Sequence, residues 1–309
     1  MLVGSILVAA AAGLLWLGAE LFVENAQAAG RRLDVTGMAV GLLLAGAEPE
    51  ELITAVIAAV RGRGGIAAGD AIGANVTMLT LVLGLAALVG PLPVGGRVRR
   101  YLVGASALGV VAAVTLSGGV SRVEGFVLVL MYVAAVAVVW IWERRPPLIG
   151  ELAEFGSGKH LPEVQSWTGL LLALSAIGVM GAGGWVAVIG AERLVLAMSV
   201  TDSVVGLSVV ALATTAELFA LVVAAHRHHV TELAVAGVVG SVGYNATVTL
   251  GGAAMALPIS TGGVVPAGWL AAALPLLVLG LGGRAGKVNR WGAGLLVSVY
   301  VVFVTLLYL

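Results

Sequence analysis

Two glutamates stand inside long apolar runs of this chain, and the same small-residue pattern follows each. The first stretch reads VGLLLAGAEPEELITAVIAAV and then GDAIGANVTMLTLVLG; the second reads VGLSVVALATTAELFALVVAA and then AGVVGSVGYNATVTLGG. A charged carboxylate near the centre of a bilayer costs at least about 2.5–3.5 kcal/mol, so it persists where a ligand or water compensates it. Glu51 and Glu217 hold matching places in the two copies; 217 and 51 differ by 166. One buried acid from each half of a duplicated membrane protein predicts a single cation site at the interface of the halves.

The setting is a membrane. Of 309 residues 60% are hydrophobic and 10% charged, where a soluble domain carries about 25% charged residues. Spanning helices need about 20 apolar residues each, and breaking the runs at charges and Gly/Pro clusters predicts helices over 2–28, 35–61, 66–90, 98–118, 123–142, 168–198, 203–225, 231–257, 264–283 and 290–308. The expected fold is an all-α integral membrane protein of ten transmembrane helices. AQA at 26–28 resembles a signal-peptide cleavage site, but no Lys or Arg precedes the apolar run and Glu20 and Glu24 lie just before the cut, so the segment reads as a retained first helix. A net charge of zero speaks against a nucleic-acid surface. The chain has no cysteine, which removes disulfides, thiolate metal sites and cysteine nucleophiles.

The repetition extends beyond the acids. GAELFVENA at 18–26 matches GAERLVLAM at 190–198, and VTGMAVGLL at 35–43 matches TDSVVGLSV at 201–209. The reading divides the chain into a first five-helix repeat (1–142), a polar linker (143–167) and a second five-helix repeat (168–309). An odd number of helices per half makes the second repeat enter from the opposite side, so the repeats are inverted, as in alternating-access transporters. Loops after odd-numbered helices carry Arg31, Arg32, Arg97, Arg99, Arg100, Arg144, Arg145, Lys159, Arg227, Arg284, Lys287 and Arg290. The opposite loops carry Arg61, Arg63 and Arg122. The positive-inside bias therefore puts the linker in the cytoplasm and both termini outside, in the cell membrane.

The motifs GAELFVENA, AVGLLLAGAEPEEL and GDAIGANVTMLTLVLG, with their second copies GAERLVLAM, VVGLSVVALATTAEL and AGVVGSVGYNATVTLGG, resemble the α-repeats of the cation/Ca²⁺ exchanger superfamily, which includes the Na⁺/Ca²⁺ exchangers. The resemblance covers nearly both halves. It implies a secondary antiporter that exchanges Ca²⁺ for Na⁺ or H⁺, with these cations as substrates, no cofactor, and helices 1 and 6 rocking against the other eight. It also implies metal ligation by Glu51 and Glu217. The small hydroxyl residue one turn earlier falls on Glu48 in the first repeat and Thr214 in the second. The ion-facing residue of the next helix falls on Met78 and Asn245, and the asparagine of the GSN motif is Asn75 in one half and Val242 in the other.

The residues support cation chemistry on their own. Calcium takes 6–8 oxygen ligands, which carboxylates and freed backbone carbonyls can supply. Pro49 removes a helical donor and predicts a break near Glu48. The second half has no such proline, and Thr214, Thr215 and Asn245 can supply oxygens there. Glu48 lies on the face of Glu51 by i,i+3 spacing, while Met78 is a poor ligand for a hard cation. Glu50, about 100° round the helix from Glu51, faces either a water-filled vestibule or packing. Asn75 reads equally as a ligand or an interhelical hydrogen bond, the Gly pairs 69/73 and 237/240 as close-packing sites, and Asp70 as an acid stabilised at a helix start. Glu20 and Glu192 recur near the ends of helices 1 and 6, as ion-entry or interfacial residues. HRHH at 226–229 reads as a helix-end basic cluster.

Proton coupling is the alternative exchange reading, because clustered carboxylates suit proton uptake. A non-transporting cation sensor in the membrane is the competitor of another class. An intramembrane hydrolase is disfavoured, since no HExxH or GxSxG motif occurs, and the chain has no phosphate-binding loop for ATP. Monomer and homo-oligomer both fit the sequence. The topology is directly testable: single cysteines at Ser157 and after Leu309 should label from opposite sides of intact cells. Labelling from the same side would refute the inverted arrangement.

Overall fold

The computed structural model describes residues 1–32, 48–143, 167–216, 218–219, 231–283 and 285–309. Among these residues it contains ten helices. They are α1 (Leu2–Arg32), α2 (Pro49–Val60), α3 (Gly64–Val89), α4 (Gly96–Leu116), α5 (Arg122–Glu143), α6 (Trp167–Met198), α7 (Asp202–Thr214), α8 (231–256), α9 (Val265–Gly282) and α10 (Arg290–Leu307). Seven of the described helices are long and apolar enough to cross a membrane. Their outward faces present large apolar side chains such as Ile6, Val123, Ile141, Leu171, Leu196 and Val301, the surface a helix offers to lipid.

α3 is the axis of the bundle. Every residue from Ile66 to Thr77 is buried, which is possible because the segment is built largely of Gly, Ala and small polar residues. Gly65, Gly69 and Gly73 form a stripe at four-residue spacing against α7. A Cβ on Gly69 would lie 2.9 Å from Leu207 N, and one on Gly73 would lie 2.5 Å from Leu207 O. The backbones therefore touch, as small residues allow in membrane helix pairs, and the 69/73 glycine pair is a packing device.

Three helices change pitch along their length. π-helical turns occupy Met78–Val82 in α3, Gly206–Val210 in α7 and Asn245–Thr249 in α8. Such turns shift the hydrogen-bond register and recur at functional positions. α2 starts abruptly. Glu48 lies outside helical geometry (φ −102°, ψ 75°), and Pro49 is the first helical residue, where its missing N–H costs nothing. The half of the predicted second helix before Glu48 lies outside the described residues, as do the linker 144–166, the HRHH segment 226–229 and Glu217.

At its other end α2 closes with Gly62 in the left-handed region (φ 74°). Gly62 N donates to Ala59 O and Arg63 N to Ala58 O, the paired bonds of a Schellman turn. The turn presents Arg61 and Arg63 to α6: Arg61 Nη2 lies 2.9 Å from Glu192 Oε2, and Arg63 Nε lies 3.2 Å from Glu192 Oε1. Arg61 also covers the Trp185 ring, 4.6 Å from its centroid. Glu192 is thus the anchor of an ion-pair cluster, and its hydrogen bond raises the proton affinity of Arg61 above the ordinary arginine value. Glu20 is exposed.

α1 and α6 pack along one another at the edge of the bundle, with Gly18 against Met180 and Gly190 against Val8. Short antiparallel pairings tie the loops. β1 (Leu92–Pro93) pairs with β2 (Lys287–Val288), and Val120 bridges Ile259. The α3–α7 contact gives a direct test of the axis. Gly73→Val should cost about 1–3 kcal/mol through overpacking and lower the thermal unfolding midpoint in detergent. Gly178→Ala, where a Cβ meets nothing within 4 Å, should leave the midpoint nearly unchanged.

Candidate cation-binding site

The break before α2 brings three acids into the interior. Glu48 and Glu51 are fully buried and Glu50 is 1% exposed. Glu50 and Glu51 belong to the first turn of α2, where the partial positive charge of the helix end favours a carboxylate. Thr54, one turn on, donates its hydroxyl to Glu50 O at 2.7 Å. From α8, Ser241 donates a hydrogen bond to Glu48 Oε1. Glu50 lies within hydrogen-bonding reach of the Glu48 carboxyl, and two carboxylates so close repel unless a proton or a cation stands between them. Tyr244 of α8 lies near all three acids, and Tyr132 of α5 meets the Tyr244 ring edge-on with centroids 5.5 Å apart.

α3 and α8 also contact each other directly. Asn75 donates Nδ2–H to Val242 O at 3.0 Å, a bond between residues 167 apart, while its Oδ1 has no hydrogen-bond partner among the described residues. The π-turns that begin at Met78 and Asn245 stand at that same separation. Met78 and Asn245 are both fully buried. Asn245 Oδ1 accepts from Thr249 Oγ1 at 2.8 Å, and its Nδ2 finds no partner among the described residues.

On the opposite flank of α3, Asp70 is fully buried and receives the Thr214 hydroxyl of α7 at 3.0 Å. Its second oxygen, Oδ2, has no hydrogen-bond partner among the described residues. The expectation of a helix-start acid fails for a simple reason: α3 begins at Gly64, so Asp70 lies in its second turn, beyond the reach of the helix-end charge. Thr215 turns its hydroxyl back to Ala211 O at 2.7 Å.

The structure thus brings Glu48, Glu50 and Glu51 together with Ser241 and Tyr244, and sets Thr214 beside Asp70. Among the described residues no three His, Asp or Glu side chains are disposed to hold a metal ion by themselves. Ser241, Tyr132 and Tyr244 escape sequence reasoning, because their residue types carry no signal of their own. Glu50 is undecided by that reasoning, although a signal for it is present. The separation of 167 that relates Asn75 to Val242 runs without a gap back to the acids, and there it joins Glu217 to Glu50 rather than to Glu51.

A bundle of apolar helices, interrupted around buried acids, defines the class of ion-exchanging membrane transporters. The family described as sodium/calcium exchanger protein matches residues 3–141 and 167–309, and the chain belongs to that family. Its relatives include the putative antiporter CaxA of Alkalimonas amylolytica, 25% identical over 323 residues that take in 100% of this chain and 99% of that protein. The sodium/calcium exchanger MaX1 of Methanosarcina acetivorans is 33% identical over 129 residues, 40% of this chain and 37% of that protein. Among solved structures, the sodium-calcium exchanger NCX_Mj has the same fold, with a TM-score of 0.64 at 23% identity and 99% of each chain covered.

The Asp70–Thr214 contact is testable by itself. Thr214→Val removes the hydroxyl from a buried carboxyl and should cost about 1–3 kcal/mol, read as a lower unfolding midpoint, while Thr214→Ser keeps most of the wild-type stability. Equal midpoints for Thr214→Val and wild type would contradict the contact.

Proposed function

We propose that this protein is a secondary antiporter that exchanges Ca²⁺ for Na⁺ across the cell membrane, by alternating access at a site between two inverted repeats, 1–142 and 168–309, joined by a cytoplasmic linker at 143–167. The observation that carries the reading is the burial of Glu48, Glu50 and Glu51 at the broken start of α2. A membrane interior tolerates such a cluster only when cations or protons neutralise it. The name of MaX1 and the putative antiporter activity of CaxA support the same reading.

In this account a divalent cation is held between the α2 acids and Glu217 of the second repeat. Glu51 is the first-repeat ligand expected from the motifs; the gap-free separation favours Glu50 for that place, with Glu51 its neighbour in the cluster. Asn75 Oδ1, Asn245 and the hydroxyls of Thr214 and Thr215 are the neutral oxygens on offer from α3, α8 and the end of α7. Neutralisation of the acids is required before the site can pass between the two sides, so net movement of one ion requires return of another. The recurrence of the π-turns and of the loop pairings near the same separation supports the repeat, and the basic loops support a cytoplasmic linker with both termini outside.

The close approach of Glu48 and Glu50 favours proton coupling as a second reading, because a shared proton is the simplest way to relieve that contact. Ion flux into proteoliposomes, with Na⁺ and pH gradients imposed separately, tests both. Glu50→Gln and Glu217→Gln should each reduce divalent flux by about a hundredfold or more, as losing one charged ligand of a buried site implies; Glu51→Gln should retain more. Uptake near the wild-type rate in Glu50→Gln or Glu217→Gln would overturn the shared site. Under the proton-coupled reading, Glu48→Ser loses pH-driven exchange and keeps divalent binding. An unchanged pH profile in that variant removes the second reading.

A further inference from the structure

Asp70 is the one charged residue in the wholly buried stretch of α3 from Ile66 to Thr77, and it has no task in the antiport proposed above. An ionisable group at membrane depth is costly to keep. Asp70 Oδ1 accepts the Thr214 hydroxyl at 3.0 Å, and Thr214 is the last helical residue of α7. Thr215, the next residue, has left helical geometry (φ −83°, ψ 3°). The contact therefore stands where α7 ends against α3.

The same kind of link occurs at the break before α2, with donor and acceptor exchanged. There the hydroxyl of Ser241 on α8 meets the carboxyl of Glu48; here the carboxyl is on α3 and the hydroxyl on α7. Glu48 and Thr214 hold matching places, since 214 and 48 differ by 166. The place of Ser241 is taken in α3 by Ala74, since 241 and 74 differ by the 167 that relates Asn75 to Val242. Alanine has no polar group to offer, and Asp70 stands one turn before it. Each helix break is thus tied to a buried helix by one hydroxyl–carboxyl bond.

We propose that Asp70 is a positioning residue of the cation site: its carboxyl holds the end of α7 and orients the Thr214 hydroxyl, so that Oγ1 turns a lone pair to the transported cation. The cation itself rests on the antiport reading above. A hydroxyl carries one proton and two lone pairs, and it ligates a cation only with its O–H directed elsewhere. Asp70 Oδ1 accepts that O–H. The other acceptors it meets among the described residues are Val210 O at 3.3 Å and Ala211 O at 3.2 Å. Both lie back along α7 itself, so without the carboxyl the oxygen turns with its proton. Asp70 acts from behind Thr214 and does not touch the cation; partners so placed orient a ligand and set much of its affinity for metal.

Ca²⁺ binding and amide hydrogen exchange, both on the purified full chain, test the assignment together. Asp70→Ala should raise the Ca²⁺ concentration for half-saturation by about tenfold or more. Asp70→Asn keeps an acceptor oxygen and should restore most of the affinity. The double variant Asp70→Ala, Thr214→Val should bind no more weakly than Thr214→Val alone, because residues in contact that act as one unit are not additive. Without added Ca²⁺, Asp70→Ala should speed hydrogen exchange at the amides of Thr215 and Leu218, which bond to Ala211 O and Thr215 O. The expected gain is about two- to tenfold, the worth of one hydrogen bond, with the amides of α5 at the wild-type rate. Wild-type affinity in Asp70→Ala would overturn the proposal. So would additive losses in the double variant, equal losses in Asp70→Asn and Asp70→Ala, or unchanged hydrogen exchange at Thr215 and Leu218. A wild-type protein that binds no divalent cation would instead defeat the antiport reading; the two amides then decide by themselves whether Asp70 holds the end of α7.

Discussion

Everything in this structure is arranged around the cost of keeping carboxyl groups inside an apolar bundle. Glu48, Glu50, Glu51 and Asp70 are all buried. Their compensation includes the hydroxyls of Ser241 and Thr214 and the positive end of α2. The described ion pairs of Arg61 and Arg63 go to Glu192 and Asp202 instead, at the turn on the far end of α2. Acids neutralised permanently by fixed cations would have little charge left for a mobile one.

That economy sets the packing. α3 can carry polar groups through the centre only because its neighbours come close enough to meet them, and the Gly65, Gly69 and Gly73 stripe is what lets α7 do so. The π-turns then alter the local backbone and re-aim the side chains beside it. α1 and α6 stand outside this tight centre and pack chiefly on each other, which leaves them the elements with least to disrupt if they move.

Helix number, and the extent of those helices that lie wholly within the described residues, were legible in the sequence, because apolar runs in a membrane protein end where charges, Gly and Pro cluster. The start of α2 followed from Pro49, and the predicted helix over 290–308 matches α10 to within a residue. The register of the acids was harder. Counting from the VGL motif upstream falls nearer Glu51, whereas counting from GDAIGAN downstream selects Glu50, and the two differ because the first repeat is shorter between motif and acid. Asp70 misled for another reason. A polar residue near a helix start is ordinarily solvated, and only the tertiary contact of α3 with α7 buries it beside Thr214. Ser241 and the tyrosines were illegible because their part depends on which helix faces which.

The central claim is that a divalent cation binds between the α2 acids and the second repeat. Anomalous diffraction from crystals soaked in Sr²⁺ tests it most directly, since strontium takes the same oxygen ligands as calcium and scatters strongly. The account predicts one dominant peak coordinated by Glu50 and Glu217, beside the facing helices α3 and α8. A peak confined to the Arg61–Glu192 turn or the outer loops, with none beside Glu50, would contradict it.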